Sequence, residues 1–326
     1  MNLWSIATSF FAISAVFLNL LLIVIIVFYA RNALGKYKWA LAVLSVFEIC
    51  FASAVVFAPP YFVITNTDWY SLSTETILHN RIFGKIGFII YCSLHQTYVV
   101  FLAFLFVYRY LVICQNNLLE KIRSSKPLTI LIVSLQPLHT VNTFICGLYL
   151  CGHEIMTDTH PIKKLSVDEI ANSVDISGLS LRGIIPTLGY ANHILVYYGT
   201  IPIFIFCGIQ IWTTISRNQA GRSNDSILEQ KRLFYLIVIQ TMTPLFLCNL
   251  PFLVMLTFPL WPDGFVFNST SKIIPLVTVI PKIVDPIATI FFIPHYKKAA
   301  MKIFMIYPET NVLIRYFTSS YRTEPS

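Results

Sequence analysis

The sequence predicts an all-α integral membrane protein, built as a bundle of seven transmembrane helices. Two features of its composition predict this class, because 56% of the 326 residues are hydrophobic and only 12% are charged. Soluble domains carry about 25% charged residues, so this chain lacks the polar surface needed to cover itself in water. The number of apolar stretches is the third feature, since seven are long enough to cross a bilayer core of about 30 Å as helices.

The seven stretches are expected to form the spans of one domain that covers residues 1–326. No other stretch of the chain is both long enough and apolar enough to cross a membrane. The two halves of the chain do not repeat one another, which argues against the inverted repeats of many transporters. In chain order the expected spans are residues 5–29, 39–62, 86–108, 128–151, 193–215, 233–257 and 273–294.

The residues after the seventh stretch predict a short amphipathic helix. In PHYKKAAMKIF (294–304) the apolar side chains follow the i, i+3, i+4 pattern, and the three lysines fall on the opposite side. A helix of this kind lies on the inner leaflet with its lysines near anionic lipid. We expect such a helix over 295–307 and a cytoplasmic tail over 308–326.

The placement of Lys and Arg predicts the orientation of the chain in the membrane. With the amino terminus outside, the inner segments hold 16 of the 23 basic residues, the outer segments hold 6, and Lys282 lies within a span. Cytoplasmic loops carry the excess of Lys and Arg, so the carboxyl terminus is expected to be cytoplasmic. The net charge of +8 follows from this topology and does not require a nucleic-acid partner.

The sequence allows two covalent features on the outer side, a glycosylated asparagine and a disulfide, and it does not decide whether either forms. Asn268 begins an Asn-Ser-Thr glycosylation pattern in a short outer loop, where the acceptor lies close to the membrane. Cys92 and Cys151 both lie toward the outer side, and a disulfide between them requires matching depths.

The motifs indicate a receptor plan and no enzyme. The chain has no HExxH, GxSxG or phosphate-loop pattern and no paired metal-ligand spacing, so neither a metal nor a cofactor is expected. A helix bundle with modest inner loops suits a protein that binds a ligand on one side and a docking partner on the other. A ligand-gated channel and a small-solute transporter remain alternative interpretations.

Three segments resemble one receptor family. NALGKYKWALAVLSVFEI (32–49), FVYRYLVI (106–113) and DPIATIFFIPHYKKA (285–299) are similar to the corresponding parts of Str-type nematode chemoreceptors. The resemblance covers all seven spans in order. It implies a G-protein-coupled receptor in the plasma membrane of sensory neurons, usually in their cilia. Such a receptor detects a small-molecule odorant and activates a heterotrimeric G protein.

Three charged residues fall inside expected spans, where each costs roughly 2.5–3.5 kcal/mol on insertion scales. Glu48 lies in the second span, and Lys282 and Asp285 share one face of the seventh, where they can pair. The cluster is either a switch whose hydrogen bonds differ between resting and active states or a static pair that fixes helix rotation. Opsins carry their retinal-binding lysine in the seventh span, before an Asn-Pro pair. Lys282 stands closer to Asp285-Pro286 than the opsin lysine does to its Asn-Pro pair, so retinal is not expected.

Prolines mark two candidate hinges, because a proline frees the carbonyl four residues earlier and bends the helix. Pro251 in the sixth span and Pro286 in the seventh are the positions at which a hinge is favoured. Membrane helices also tolerate proline without any function, which is the alternative at each position.

Aromatic and small polar residues in the outer half of the bundle are candidate ligand contacts. Such groups in an apolar cavity suit a small, largely apolar molecule. Ordinary helix packing or an interfacial aromatic belt is the alternative for each. The candidates are Tyr91, His95 and Tyr98 of the third span, Asn192, His193 and Tyr197 of the fifth, and Phe252 of the sixth.

Arg109 is the candidate coupling residue at the inner end of the third span. A charge at this depth is explained by snorkelling alone, and the receptor interpretation adds a contact to the G protein or to the sixth helix. Tyr108 stands where rhodopsin-like receptors place an acidic residue. Tyr108 and Tyr110 offer only stacking or hydroxyl hydrogen bonds to the arginine.

Overall fold

The computed structural model describes residues 3–29, 37–57, 61–64, 68–73, 81–150, 175–180, 184–217, 224–257 and 273–304. Within these residues, seven helices are long and apolar enough to cross a membrane, which confirms the predicted seven-span helical bundle. Asn268, Cys151 and the tail from residue 305 onward lie outside the described residues, so glycosylation, the Cys92–Cys151 disulfide and the tail remain predictions.

The spans are regular helices because a helix satisfies all backbone hydrogen bonds within one segment, as a lipid environment requires. Within the residues that the structure describes, two of the spans contain a π-helical turn and two short helices lie outside the spans. The spans are α1 (Leu3–Val24, extended by a π-turn over Ile25–Tyr29), α2 (Tyr37–Phe57), α3 (Arg81–Cys114), α5 (Lys126–Leu150), α6 (Ile184–Arg217), α7 and α8 (Asn224–Pro244 and Leu250–Thr257, joined by a π-turn over Leu245–Asn249) and α9 (Ile273–Phe292). The short helices are α4 (Asn116–Ser124) and α10 (Pro294–Ile303).

The third span lies at the centre of the bundle. It packs against the second, fourth, fifth and sixth spans, while the first span packs against the second and the seventh. We call the end where the first span begins the amino end of the bundle, and the end where the seventh span finishes the carboxyl end. Buried apolar side chains form one cluster in the amino half, around Phe51 and Val279, and another in the carboxyl half, around Phe106 and Ala288.

A small antiparallel sheet adds to the helical fold at the amino end, and the sequence did not predict it. Its strands are β1 (Tyr61–Ile64), β2 (Asp68–Ser73) and β3 (Asp175–Ser180), in the order β1-β2-β3. The second helix therefore ends earlier than its apolar run suggested. Pro59 and Pro60 follow it in the sequence, and the residue before a proline disfavours helix. Strands β2 and β3 pack against the third span.

The expected amphipathic helix after the last span is present as α10. Pro294 stands in its first turn, where the missing N–H has no helical acceptor to serve. Its apolar side, with Tyr296, Ala299 and Ala300, is buried against the bundle, while Lys297 and Lys298 are exposed. The two faces are divided as predicted within the helix, but the helix ends at Ile303 and Phe304, which was expected on the apolar side, is exposed.

Candidate functional site

The three charged residues of the spans meet in the middle of the bundle, between the two apolar clusters. Glu48, Lys282 and Asp285 are each at most 1% exposed, and Glu48 lies beside Asp285, Lys282 and Asn19. Two carboxyl groups and one ammonium group thus lie close together in a buried region. We call Asn19, Glu48, Tyr98, Lys282 and Asp285 the polar core.

Tyr98 of the third span mediates between the two charges of the seventh. Its hydroxyl donates to Asp285 Oδ2 at 2.5 Å, and Lys282 Nζ lies over its ring, 2.9 Å from the centroid. Lys282 Nζ has no hydrogen-bond partner among the described residues. The direct Lys282–Asp285 pair that the spacing allowed is therefore replaced by a cation–π contact, because a tyrosine face can hold an ammonium group away from water.

Asn19 links the first span to the proline bend of the seventh. Pro286 has no N–H, so the carbonyl of Lys282, four residues earlier, lacks its helical donor. Asn19 Nδ2 donates to that carbonyl at 2.9 Å and to the Ala15 carbonyl at 3.0 Å. A side chain from another helix thus replaces the bond that Pro286 removes, and the helix continues through the proline.

The sixth span joins the same region through one hydrogen bond, from Gln240 to Thr289 of the seventh span. Thr289 Oγ1 donates to the Asp285 carbonyl at 2.8 Å and accepts from Gln240 Nε2 at 3.0 Å. Gln240 and Thr289 are buried. Hydrogen bonds from the first, third and sixth spans therefore converge on one segment of the seventh, residues 282–289.

A second group of side chains lies on the amino side of the polar core. Tyr91 packs on Phe51 with ring centroids 5.0 Å apart, and the centroids of His95 and Phe51 are 6.0 Å apart. His95 Nδ1 and the Tyr197 hydroxyl are hydrogen-bonded at 2.6 Å. We call Phe51, Tyr91, His95 and Tyr197 the aromatic cluster.

The hydrogen bond between Tyr91 and Thr278 has a defined direction. The Thr278 hydroxyl donates to the Pro275 carbonyl at 2.9 Å, and a hydroxyl has one proton to give. The Tyr91 hydroxyl, 3.0 Å away, therefore donates to Thr278 Oγ1. The aromatic cluster is thereby fixed to the seventh span, one turn before Lys282.

The structure divides the predicted ligand residues into three groups. Tyr91, His95 and Tyr197 meet in the aromatic cluster, whereas Tyr98 belongs to the polar core. His193 lies one turn before Tyr197 with its Nδ1 3.1 Å from the Gly189 carbonyl. Asn192 is half-buried and belongs to neither the aromatic cluster nor the polar core. The Phe252 side chain lies outside the described residues, so its role as a ligand contact remains a prediction.

Arg109 lies at the carboxyl end of the third span, and an aromatic ring holds it. Its Cζ is 3.6 Å from the ring centroid of Tyr37 on the second span. The Nε and Nη2 atoms are buried without a hydrogen-bond partner among the described residues. Tyr296 of α10 is buried beside Tyr37, and burial raises the pKa of Tyr296 to about 12.

The two tyrosines that flank Arg109 do not hold it, because successive residues of a helix point about 100° apart. Tyr108 accepts a hydrogen bond from Arg123 Nη2 at 3.3 Å and stacks on Tyr37 with centroids 6.3 Å apart. Tyr110 packs on Phe206 of the fifth span. The stacking that the sequence assigned to the neighbours of Arg109 is supplied by Tyr37.

Comparison with known proteins decides what kind of bundle this is. The model of the serpentine type 7TM GPCR chemoreceptor Str family matches residues 4–301, which include all seven spans and the whole polar core. The chain belongs to this family. The resemblance seen in the three sequence segments is thereby confirmed, and so are a multi-pass membrane protein and a receptor role.

Individual relatives match this Str-family receptor over most of its length. Serpentine receptor class r-10 of Caenorhabditis briggsae is 25% identical over 303 residues, which are 89% of this chain and 88% of the relative. The Caenorhabditis elegans protein of the same name is 26% identical over 281 residues, 81% of this chain and 80% of the relative. G-protein coupled receptor str-33 of Caenorhabditis elegans is 21% identical over 313 residues, with coverage of 90% and 88%.

Sequence reasoning missed several residues that complete the Str-family receptor's interior. Asn19 is a lone amide within the most apolar run of the chain, a signal that could have drawn attention to it. The partners of predicted residues, by contrast, belong to other spans and carry no signal of their own. They are Tyr37, Phe51 and Thr278. The buried pair of Gln240 and Thr289 was missed as well.

Proposed function

We propose that the chain is a chemosensory receptor that binds a small, largely apolar molecule within the bundle and activates an intracellular heterotrimeric G protein. It lies in the plasma membrane, in sensory cilia, with the amino terminus outside and the carboxyl terminus cytoplasmic. The excess of Lys and Arg in the expected inner segments supports this orientation. The amino end of the bundle then faces outward, on the side of the aromatic cluster.

One observation carries the proposal: the aromatic cluster and the polar core are contiguous through Phe51. The Phe51 ring packs on Tyr91 and His95, and Lys282 Nζ lies 5.2 Å from its centroid. A ligand that displaces any of these rings changes the surroundings of a buried ammonium group. Phe51 is therefore the single side chain between the proposed ligand site at the aromatic cluster and the charged residues of the polar core.

The mechanism we propose is a shift between two bundle conformations. Such a shift requires that the ligand bind one conformation better than the other. In the resting form Tyr98 holds Lys282 on its ring and Asp285 on its hydroxyl. Ligand at the aromatic cluster favours a form in which these contacts exchange, with Pro251 and Pro286 as hinges for the carboxyl halves of the sixth and seventh spans.

Arg109 then serves as the contact on the cytoplasmic side. Within the described part of the chain its guanidinium rests on Tyr37, and two of its nitrogens have no acceptor. Leaving a ring face costs less than breaking a buried ion pair, so Arg109 is available to acceptors on a G protein. Tyr108 and Tyr110, on neighbouring faces of the third span, pack on Tyr37 and Phe206.

The experiment that tests the function is expression in a heterologous cell with a G-protein readout, screened against a panel of small apolar odorants. We expect a concentration-dependent response that disappears when the G protein is blocked. Ligand-gated current with G proteins blocked would identify a channel, and saturable uptake of a panel compound would identify a transporter. Either result would overturn the receptor proposal.

Two sets of variants test the roles of the polar core and of Arg109. We expect Glu48→Gln and Asp285→Asn to shift the dose response at normal surface expression. Unchanged responses would reduce the polar core to a static structural feature. We expect Arg109→Ala to reach the surface and to signal weakly, and normal signalling would leave snorkelling as the only role of this arginine.

A further inference from the structure

The fourth span, α5, is covered by the rest of the bundle far less than any other span. In its most apolar stretch 6% of the residues are buried, against 28% to 56% in the other six. It packs on the third and fifth spans along one side. The opposite side presents large apolar side chains to the membrane, among them Leu131, Leu135, Leu138 and Ile145.

An amide interrupts this apolar side. Asn142 is exposed. In the described part of the chain, the only hydrogen bond of its side chain comes from Cys146 Sγ at 3.8 Å, and a thiol is a weak donor. Lys126 lies 16 residues before Asn142 and the helix end at Leu150 lies 8 residues after it. At about 1.5 Å per residue, the amide is therefore well inside the hydrocarbon layer.

Lipid chains cannot satisfy this amide, since they offer neither donors nor acceptors. In membrane proteins, asparagine side chains of this kind are usually paired across helix–helix contacts. Leu131, Leu135, Leu138, Asn142 and Ile145 follow one another at alternating steps of four and three residues. That spacing forms a straight seam along a helix, the geometry by which two helices pack side by side.

The first span shows that spacing alone does not indicate a partner. Its exposed residues Ile6, Phe10, Ile13, Phe17 and Leu20 follow the same steps, but all are apolar. Lipid covers such a face as well as protein does. The amide within the seam is what distinguishes the fourth span.

We propose that the fourth spans of two copies of this chain pair along the seam Leu131, Leu135, Leu138, Asn142 and Ile145. An amide carries both an acceptor oxygen and a donor nitrogen, so two Asn142 side chains related by a two-fold axis satisfy each other. A second copy therefore supplies what the exposed amide lacks. One polar residue in an apolar seam also fixes the register of the pair.

A second exposed amide, Gln210 of the fifth span, provides an internal comparison. It lies two turns before Arg217, where the helix ends. Its side chain is longer and lies closer to a charged boundary residue, so its amide can extend toward water. In the sequence beyond Asn142 the next charged residue is Glu154, 12 positions away.

Cysteine crosslinking in membranes tests the pairing. The full chain carries Cys146→Ser to remove the neighbouring thiol, and Leu138→Cys is introduced one turn from Asn142. Phe17→Cys on the exposed face of the first span is the matched control. We expect Leu138→Cys to yield a product of twice the chain's mass at least about fivefold more efficiently than Phe17→Cys.

Substitutions of the amide then test its role in the Leu138→Cys background. Asn142→Leu should reduce the product to the level of Phe17→Cys, whereas Asn142→Gln and Gln210→Leu should preserve it. If Asn142→Leu fails to reach the surface, Asn142→Ala replaces it with the same expectation. The proposal is overturned if the product survives loss of the amide, has another mass, or never exceeds the control.

Discussion

The seventh and fourth spans are both proline-containing membrane helices, yet the bundle treats them in opposite ways. The most apolar stretch of the seventh is 56% buried with a mean hydropathy of 1.8, and that of the fourth is 6% buried with a mean hydropathy of 1.4. The seventh nevertheless holds two charged residues within the bilayer. The fourth has none between Lys126 and its end at Leu150.

The difference shows that mean hydropathy does not reveal which span is buried. The two helices differ in the side chains that surround their buried or exposed polar groups. Side chains from the first, second, third and sixth spans surround Lys282 and Asp285, which lowers the cost of charge in a medium without water. Among the described residues of one copy of the chain, no comparable group of polar side chains surrounds the exposed amide of Asn142.

The largest effect on stability is expected when the buried ammonium group of Lys282 is removed, and it tests the contrast between the seventh and fourth spans. We expect Lys282→Met to lower the free energy of unfolding by about 3–5 kcal/mol, because Glu48 and Asp285 are left buried without a positive charge. Heat inactivation of the detergent-solubilised receptor measures the change. Lys126→Met, at the exposed start of the fourth span, is the control and should change nothing.

A partner substitution separates charge from packing in that experiment. Adding Glu48→Gln to Lys282→Met should recover part of the lost stability, since one of the two stranded carboxyl groups is removed. Full stability of Lys282→Met alone would contradict the view that this ammonium group compensates the carboxyl groups.

The next effect in size concerns the bond that replaces the missing proline N–H. We expect Asn19→Leu to cost about 1–3 kcal/mol, the penalty for leaving a buried carbonyl without a donor. In a Pro286→Ala background the same change should cost less, because the introduced alanine supplies its own N–H to the Lys282 carbonyl. Equal costs in both backgrounds, measured by thermal inactivation, would refute this pairing.

Matched truncations compare the two spans directly. We expect Val279→Ala in the seventh span, whose side chain is fully buried, to cost about 1–2 kcal/mol because it leaves a cavity among packed neighbours. Ile130→Ala in the fourth span, 68% exposed, should cost less than about 0.5 kcal/mol. Similar costs for both, on the same thermal assay, would remove the distinction between the helices.

The smallest effect concerns the side of the fourth span that does contact the bundle. A Cβ at Gly147 would stand 3.0 Å from Ile89 Cγ2, whereas a Cβ at Gly199 of the fifth span would meet nothing within 4 Å. Alanine favours helix over glycine by up to about 1 kcal/mol. Gly199→Ala should therefore raise the inactivation temperature, and Gly147→Ala should raise it less or lower it. A larger gain at Gly147 would be inconsistent with close packing there.

The sequence was sufficient for the number of spans and for the surface helix after them. Both follow from local patterns, since a run of apolar residues must become a helix to enter lipid. The small sheet at the amino end was missed because its strands are short and pair across residues 68–73 and 175–180. Pairing of that kind depends on how the spans bring distant loops together.

Most members of the candidate site were predicted, but Asn19 and Phe51 were not, and neither was the grouping of the members. Glu48, Lys282 and Asp285 stand out in a sequence because charge is rare within spans. Tyr98 was placed with the ligand residues, and only the bundle shows that it lies between Lys282 and Asp285. Side-chain direction in a helix is fixed by backbone rotation, but the neighbour that it meets is fixed by packing.

The sequence by itself determined a seven-span membrane helix bundle, the rare charges within it and the family to which it belongs. These properties reside in composition, in apolar run length and in short segments of contiguous residues. The tertiary structure alone decided that Tyr37 holds Arg109, that Asn19 serves the carbonyl freed by Pro286, and that the fourth span remains uncovered. Each of these joins residues from different helices, and their contact depends on how the helices pack in three dimensions.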